Sequence, residues 1–294
     1  MSMKKNDIRH DGRTAYQMRS ISCLWNNYSY APGSVVIEWG NTKVLCAVTM
    51  QQGVPSFLRG KGQGWLTAEY MLLPTATPVR IARDVSACKR NGRTVEISRL
   101  IGRVFRTIID FSVLAERTIY VDCDVLQADG GTRVAAITGA SLALLQAQNQ
   151  WLAEGILEKP FLKDSIAAIA VGVYKGSIIL DPDYHEDTDI HADFNVVMTI
   201  SGKVIEIQGG AEKDPLCWEQ FEQIRLVACD GIQGLKTLFE NVPLAKLSNS
   251  LVKKEYLCEN KRSKVQGQKY DQPQGAVRKS SIFSLEFRSK EQAV

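Results

Sequence analysis

The stretch Gln127–Leu145, QADGGTRVAAITGASLALL, decides how the chain is read. Ahead of it, Ile119, Val121, Cys123 and Val125 alternate as a half-buried strand does, and behind it small and apolar residues recur at helical spacing. Gly130, Gly131, Thr132 and Arg133 therefore fall where a strand hands over to a helix. A helix N-terminus presents unpaired N–H groups and a partial positive charge. Glycines let a ligand approach that backbone, while Thr and Arg add donors. One reading is a cradle for an anion, most simply phosphate. The other is an ordinary tight turn with its arginine in solvent. This segment alone does not separate them.

Upstream, residues 35–50 read as two strands about a Gly40-Asn41 turn. Gly60, Gly62 and Gly64 follow in FLRGKGQGWLTAEYMLLP, without the helix and downstream acid that a dinucleotide site requires. A connector bearing Pro78, Arg80 and Arg83 leads to a helix with apolar residues at 97, 100, 101, 104, 105, 108 and 109. Arg99, Arg103 and Arg106 share one side of it, with Arg93 at its start. Such a face is either merely solvated or meets a partner, and the nearness of Arg93 favours the latter.

Downstream the pattern repeats in outline. Hairpins are expected across Lys175-Gly176 and Ser201-Gly202, then a helix from about 215 to 240 carrying Trp218, Phe221, Ile224, Leu226 and Val227. Two sets of strand hairpins followed by helices predict an α+β fold of duplicated units, not a doubly wound sheet.

Composition agrees with a globular chain: 294 residues, 45% hydrophobic and 23% charged. No apolar run approaches the roughly 20 residues of a membrane span. MSMKKNDIRHDGR has no signal-peptide core, so a cytoplasmic protein without membrane contact is expected. The seven cysteines (23, 46, 88, 123, 217, 229, 258) lack a CxxC pair and read mostly as reduced core residues. The formal charge of +4 is unevenly spread. From Ser248 onward ten Lys/Arg face five Asp/Glu, a net of +5 that leaves residues 1–247 at −1. Residues 1–247 therefore read as the folded domain and 248–294 as a basic, flexible tail that touches RNA, is simply solvated, or docks a short strand of Ile282, Phe283, Leu285 and Phe287 on the body or a neighbour.

Six acids, Asp181, Asp183, Glu186, Asp187, Asp189 and Asp193, crowd into LDPDYHEDTDIHAD. Carboxylates without thiol partners favour Mg²⁺ or Mn²⁺. An acidic surface loop is the other reading, but Asp193 adjoins the apolar run FNVVM, where an unpaired carboxylate is costly. Anion cradle, arginines and carboxylates together point to phosphoryl or phosphodiester chemistry.

Six stretches, RHDGR, GSVVIEWGNTKVLCAV, FLRGKGQGWLTAEYMLLP, NGRTVEISRLIGR, DCDVLQADGGTR and EDTDIHADFNVVMT, occur in this order and closely resemble the ribonuclease PH family over about residues 8–245. The resemblance implies the ribonuclease PH fold, assembled as a homohexamer, a trimer of dimers. It implies a phosphorolytic 3′→5′ exoribonuclease acting on RNA, notably tRNA precursors, with inorganic phosphate as co-substrate and nucleoside diphosphates as products. A second expectation is a non-catalytic, ring-forming RNA-binding subunit of an exosome-like assembly. By position, Arg93, Gly131, Thr132 and Arg133 match the family's phosphate-binding residues. Asp187 and Asp193 match its catalytic and metal-associated aspartates, with Mg²⁺ or Mn²⁺ implied. Arg80 and Arg83 match arginines tied to RNA and ring assembly, and Arg99 joins them as an RNA-facing candidate. The chain departs from the family at Thr75, where arginine is usual, and at QGGAEK (208–213), where the family has QGTAEG.

Overall fold

The computed structural model describes residues 9–25, 28–83 and 91–243, with the backbone of 252–259 and 284–287. The strands expected at 35–50 are β2 (Gly33–Trp39) and β3 (Thr42–Gln52), turning at Gly40-Asn41 as the pattern predicts. β1 (Ile21–Trp25) precedes them, and β4 (Trp65–Leu72) follows the glycine-rich loop. α1 (Gly92–Arg106) starts at Asn91, whose side chain accepts the Arg93 N–H. Its Ile97, Leu100, Ile101, Val104 and Phe105 are buried, and the helix packs on β4. Each such side chain contributes about 1.5–3 kcal/mol by leaving water.

β5 (Arg117–Gln127) buries Ile119, Val121, Cys123 and Val125 on one face and runs into α2 (Thr132–Ala153). α2 packs on β2, β3 and β5 and also on β6 (Ile166–Tyr174). It is enclosed between two sheets. That position explains its sequence: small residues on several sides rather than one apolar stripe, among them Ala135, Ala136, Ala140, Ala143 and Ala147. Gly139 has no room for more, since a Cβ would stand 2.8 Å from Cys46 Sγ.

β7 (Ser177–Leu180) pairs with β6, then come a short α3 (Tyr184–Asp187), β8 (Ala192–Thr199) and β9 (Val204–Ala211). Both expected hairpins form, giving a four-stranded antiparallel sheet in the order β7-β6-β8-β9. The closing helix is two, α4 (Trp218–Gly234) and α5 (Lys236–Glu240), meeting at Leu235. Its buried face is Ile224, Val227, Ala228 and Ile232. Trp218 and Leu226, expected among the helix's apolar residues, are 82% and 47% exposed.

The larger sheet runs β11-β10-β1-β2-β3-β5-β4, antiparallel except for the β4–β5 pair. β10 (Val252–Glu259) lies in the stretch read as a flexible tail, and β11 (Ser284–Phe287) falls where the competing reading puts a short docked strand. β10 departs from the tail reading because the backbone of β1 offers an edge on which a strand can form with little side-chain patterning. The rest of the tail, residues 260–283 and 288–294, lies outside the described residues, as does the start of the tail up to 251. Cys23, Cys46 and Cys123 are buried as expected, whereas Cys217 is exposed and Cys229 half-buried. Among the described residues, no helix is long and apolar enough to cross a membrane.

Candidate anion and carboxylate site

Between β5 and α2 the chain turns through Gly130 and Gly131 at φ +76° and +64°, a region that side chains rarely adopt. Close approach adds a second reason for glycine. A Cβ on Gly130 would lie 2.7 Å from the Asp183 carbonyl carbon, so its absence lets the turn rest on the start of α3. Gly131 is the N-cap of α2, and no side chain caps that helix. Its first N–H groups are thus left for a ligand.

Four of the expected phosphate residues meet at this turn. Arg93, Gly131, Thr132 and Arg133 line one cavity of about 700 Å³. Thr132 is buried, and its Oγ1 accepts the phenolic hydrogen of Tyr70 at 2.9 Å, leaving its own hydroxyl hydrogen to donate. Burial raises the Tyr70 phenol above its usual range, partly offset by that bond to Thr132. Arg133 donates through Nη2 to Glu96 Oε2 at 2.9 Å and through Nη1 to Gln208 Oε1 at 2.5 Å. It is therefore not the free solvent arginine of the plain-turn reading. Tyr70, Glu96 and Gln208 were missed by sequence reasoning. Strand alternation does place Tyr70 on the buried face of β4 with Leu66 and Ala68, but nothing in the sequence pairs it with Thr132.

The acids divide into two groups. Asp187 and Asp193 face the same cavity, joined by Glu212. Asp187 is exposed overall, but partial desolvation where it faces the cavity raises its carboxyl, the charge of Glu212 adds to this, and Arg93 opposes it. Asp193 is pushed up to about 6, first by burial and then by the charge of Asp187, although Asn195 donates to it at 3.0 Å. These carboxylates have the donor chemistry for Mg²⁺ or Mn²⁺.

Asp181, Asp183 and Glu186 turn inward. Arg19 donates to Asp181 through its backbone N–H at 2.8 Å, Nε at 3.0 Å and Nη2 at 2.6 Å, and Trp39 Nε1 adds a bond at 3.0 Å. Arg9 binds both oxygens of Glu186 and the carbonyl oxygens of Leu180 at 2.8 Å and Asp181 at 3.0 Å. Asp183 caps α3 and accepts from His10 Nε2 at 2.7 Å. RHDGR and Arg19 together thus supply the buried counter-charges for this half of the acidic run, and Asp189 is exposed. Among the described residues, the one trio with metal-ligand atoms within 4.8 Å of one another is His10, Asp183 and Glu186. Arg9 and Arg13 already serve those carboxylates, which disfavours a cation there.

A second groove shares Arg93, Gly131, Thr132 and Asp187 with this cavity and extends along Met71, Pro78, Val79, Ile81 and Arg83. Of the three RNA candidates, Arg83 lines that groove, while Arg80 and Arg99 are exposed and line neither space. Arg103 and Arg106 do not form a free cationic face with Arg99. Arg103 pairs with Glu206, and Arg106 lies over the Trp65 ring at 4.9 Å and reaches Leu66 O. Thr75 is exposed, and a side chain at Gly210 would meet open space, so neither departure disturbs packing.

Residues 17–150 match domain 1 of the 3′ exoribonuclease family, RNase PH, and residues 164–231 match domain 2. The chain belongs to the ribonuclease PH family. Similar solved structures carry the same fold. Rice (Oryza sativa) Rrp46 is 22% identical, with a TM-score of 0.62 over 78% of this chain and 98% of its own. A chain of the Archaeoglobus fulgidus exosome, solved with RNA bound to the active site, is 20% identical, with a TM-score of 0.67 over 79% and 93%. A chain of an archaeal exosome core is 18% identical, with a TM-score of 0.63 over 80% and 92%. The α+β reading and the family resemblance hold.

Proposed function

We propose that this ribonuclease PH relative is a phosphorolytic 3′→5′ exoribonuclease. The observation that supports it most is one cavity that unites two arginines and an uncapped helix N-terminus with two carboxylates of raised pKa. Inorganic phosphate binds the first N–H groups of α2, the Thr132 hydroxyl, Arg93 and Arg133. Held there, a phosphate oxygen is aligned on the phosphorus of the terminal phosphodiester, so that much of the acceleration comes from positioning. The new P–O bond forms as the bond to the 3′-oxygen of the preceding ribose breaks, releasing a nucleoside diphosphate. Asp187 and Asp193 would hold Mg²⁺ or Mn²⁺, which when bound offsets negative charge at the leaving oxygen. The groove past Arg83 offers room for the terminal nucleotide, and Arg80 and Arg99 are exposed for contact with the RNA beyond it. Trailing nucleotides of tRNA precursors are the proposed substrate, a homohexameric ring built as a trimer of dimers the proposed assembly, and the cytoplasm the proposed location.

A second reading is a ring-forming, RNA-binding subunit without turnover, suggested by the exosome assemblies from which two of the structural neighbours come. Retention of Arg93, Thr132, Arg133, Asp187 and Asp193 around one cavity favours activity. The deciding experiment incubates the full chain with a 3′-labelled tRNA precursor, with and without inorganic phosphate. Phosphate-dependent release of nucleoside diphosphates is expected. RNA binding without any release supports the ring subunit instead.

A further inference from the structure

Arg133 is braced from one side. Besides its own bonds to Glu96 and Gln208, Gln208 Nε2 reaches Glu96 Oε1 at 3.5 Å, closing a three-membered ring of side chains. The three come from separate elements: Glu96 from α1, Arg133 from α2 and Gln208 from β9. We infer that Glu96 and Gln208 are positioning residues that fix the Arg133 guanidinium for capture of the anion. The inference rests on phosphate being the anion of this cavity.

A guanidinium offers five N–H donors in one rigid plane. Glu96 and Gln208 take one donor from each terminal nitrogen, which sets the plane and leaves Nε–H with one hydrogen on each Nη for a ligand. Orientation of the arginine is then settled before binding, and less rotamer freedom is lost on capture. The brace is built into the elements that carry the rest of the site. Glu96 lies three positions after Arg93 on α1, so one helix supplies an arginine of the cavity and the brace of the other. Gln208 pairs across the sheet with Asn195, whose amide donates to Asp193. Anion side and carboxylate side therefore share one framework. Glu96 is also 42% exposed at its side chain, so replacing it leaves the core alone.

The competing role for the same carboxylate is the opposite one. A negative charge beside the cavity repels phosphate, and Glu96 would then act as a brake whose removal tightens binding. Charge and hydrogen bonding separate under substitution. Glu96→Gln keeps an oxygen acceptor for Nη2 and loses the charge, while Glu96→Ala loses both.

The test measures calorimetric binding of inorganic phosphate and phosphorolysis for the full-length wild type, Glu96→Gln, Glu96→Ala, Arg133→Ala and the Glu96→Ala/Arg133→Ala double variant. Glu96→Ala is expected to raise the phosphate concentration at half-maximal rate about tenfold, with kcat changed less, and Glu96→Gln to stay near wild type. In the Arg133→Ala background, Glu96→Ala should add nothing, because a brace without its arginine has no work left. Tighter phosphate binding in either Glu96 variant overturns the inference in favour of a brake. Additive losses in the double variant overturn it in favour of a general structural role, with the phosphorolytic reading intact. Wild-type protein that binds no phosphate overturns that reading, and this inference with it.

Discussion

Arg19 Nη2 donates to Asp181 Oδ1 at 2.6 Å in the interior, joining residues 162 positions apart. The same guanidinium donates to the carbonyl oxygens of Asp129 at 2.5 Å and Gly130 at 3.5 Å, so it supports the Gly130-Gly131 turn from behind. Asp181 itself sits at φ +52°, a strained conformation for a non-glycine residue that its many partners hold in place. Burial by itself would raise its carboxyl, but the charge and hydrogen bonds of Arg19 outweigh that, and the net effect is a pKa below the usual 3.8.

Asp181→Asn removes one charge from a buried pair and is expected to cost on the order of 3–5 kcal/mol. Its pH signature follows from the sign of the shift. A depressed folded-state pKa gives stability that is present above the unfolded value, near 3.9, and is lost as pH falls through the lower folded value. Thermal melts between pH 2 and 6 should show this acid-linked loss in the wild type and a shallower one in Asp181→Asn. Parallel profiles would remove the ion pair from the account of acid stability.

Gly130→Ala tests the close approach of the turn to α3. The substitution meets two obstacles, a left-handed φ of +76° and a Cβ 2.7 Å from the Asp183 backbone. Gly60→Ala meets the same φ of +76° with nothing within 4 Å, so it isolates the conformational cost of about 1–2 kcal/mol. Relief of the collision in Gly130→Ala moves the turn away from α3 and hence from Asp187. Both variants should lose some melting temperature, and Gly130→Ala alone should lose phosphate binding at least tenfold. Equal phosphate affinity in the two would mean that the separation of turn and α3 is unimportant.

Much of this architecture is legible in the sequence because it depends on local pattern. Alternation at 119–125, the glycines at 130 and 131 and the apolar spacing from Ile97 to Phe105 each specify an element without reference to the rest of the chain. The division of the acidic run is not of that kind. Asp181 and Glu186 turn inward because Arg19 and Arg9 reach them across more than 160 residues, while Asp187, one residue beyond Glu186, faces the cavity. Equally silent in the sequence is the pairing of Arg133 with Glu96 and Gln208 from two other elements. In the sequence Trp218 and Leu226 are simply apolar residues of the closing helix beside Ile224 and Val227, and the packing of α4 against β6 shows which of them are buried.

Asp193→Asn exchanges stability for function. The carboxyl at about 6 lies above the ordinary 3.8, chiefly through burial and then through Asp187. The folded state therefore favours the protonated form. Its cost is absent below the unfolded value, grows as pH rises toward about 6 and is constant above that. A neutral amide avoids the cost, so Asp193→Asn should melt higher than wild type at pH 8, by no more than about 3 kcal/mol of stability, and match it near pH 3.5. Added Mg²⁺ should stabilise the wild type and leave the variant unchanged, while phosphorolysis is lost in the variant. A variant no more stable at pH 8, or one stabilised equally by Mg²⁺, would falsify the assignment of Asp193 as a charge awaiting a cation.

The last expectation concerns the C-terminal stretch. Its net charge of +5 fits an RNA contact, yet β10 pairs with β1 from Ile21↔Tyr256 to Trp25↔Val252, and β11 lies on β10. Deleting residues 248–294 therefore removes both outer strands of the large sheet. The N–H and C=O groups of β1 that face β10 lose their partners, and an exposed strand edge invites pairing between chains. The truncated protein should melt at lower temperature and self-associate at the β1 edge. Phosphate binding should persist, because the cavity residues lie between Arg93 and Glu212. RNA affinity should keep its salt dependence, since a lost phosphate contact on a single strand would change the slope of log K against log salt by about 0.7. Melting curves, mass in solution and RNA binding at two salt concentrations read these outcomes separately. Unchanged melting with a flattened salt slope would mean that the stretch serves RNA and that its strands add nothing to the fold.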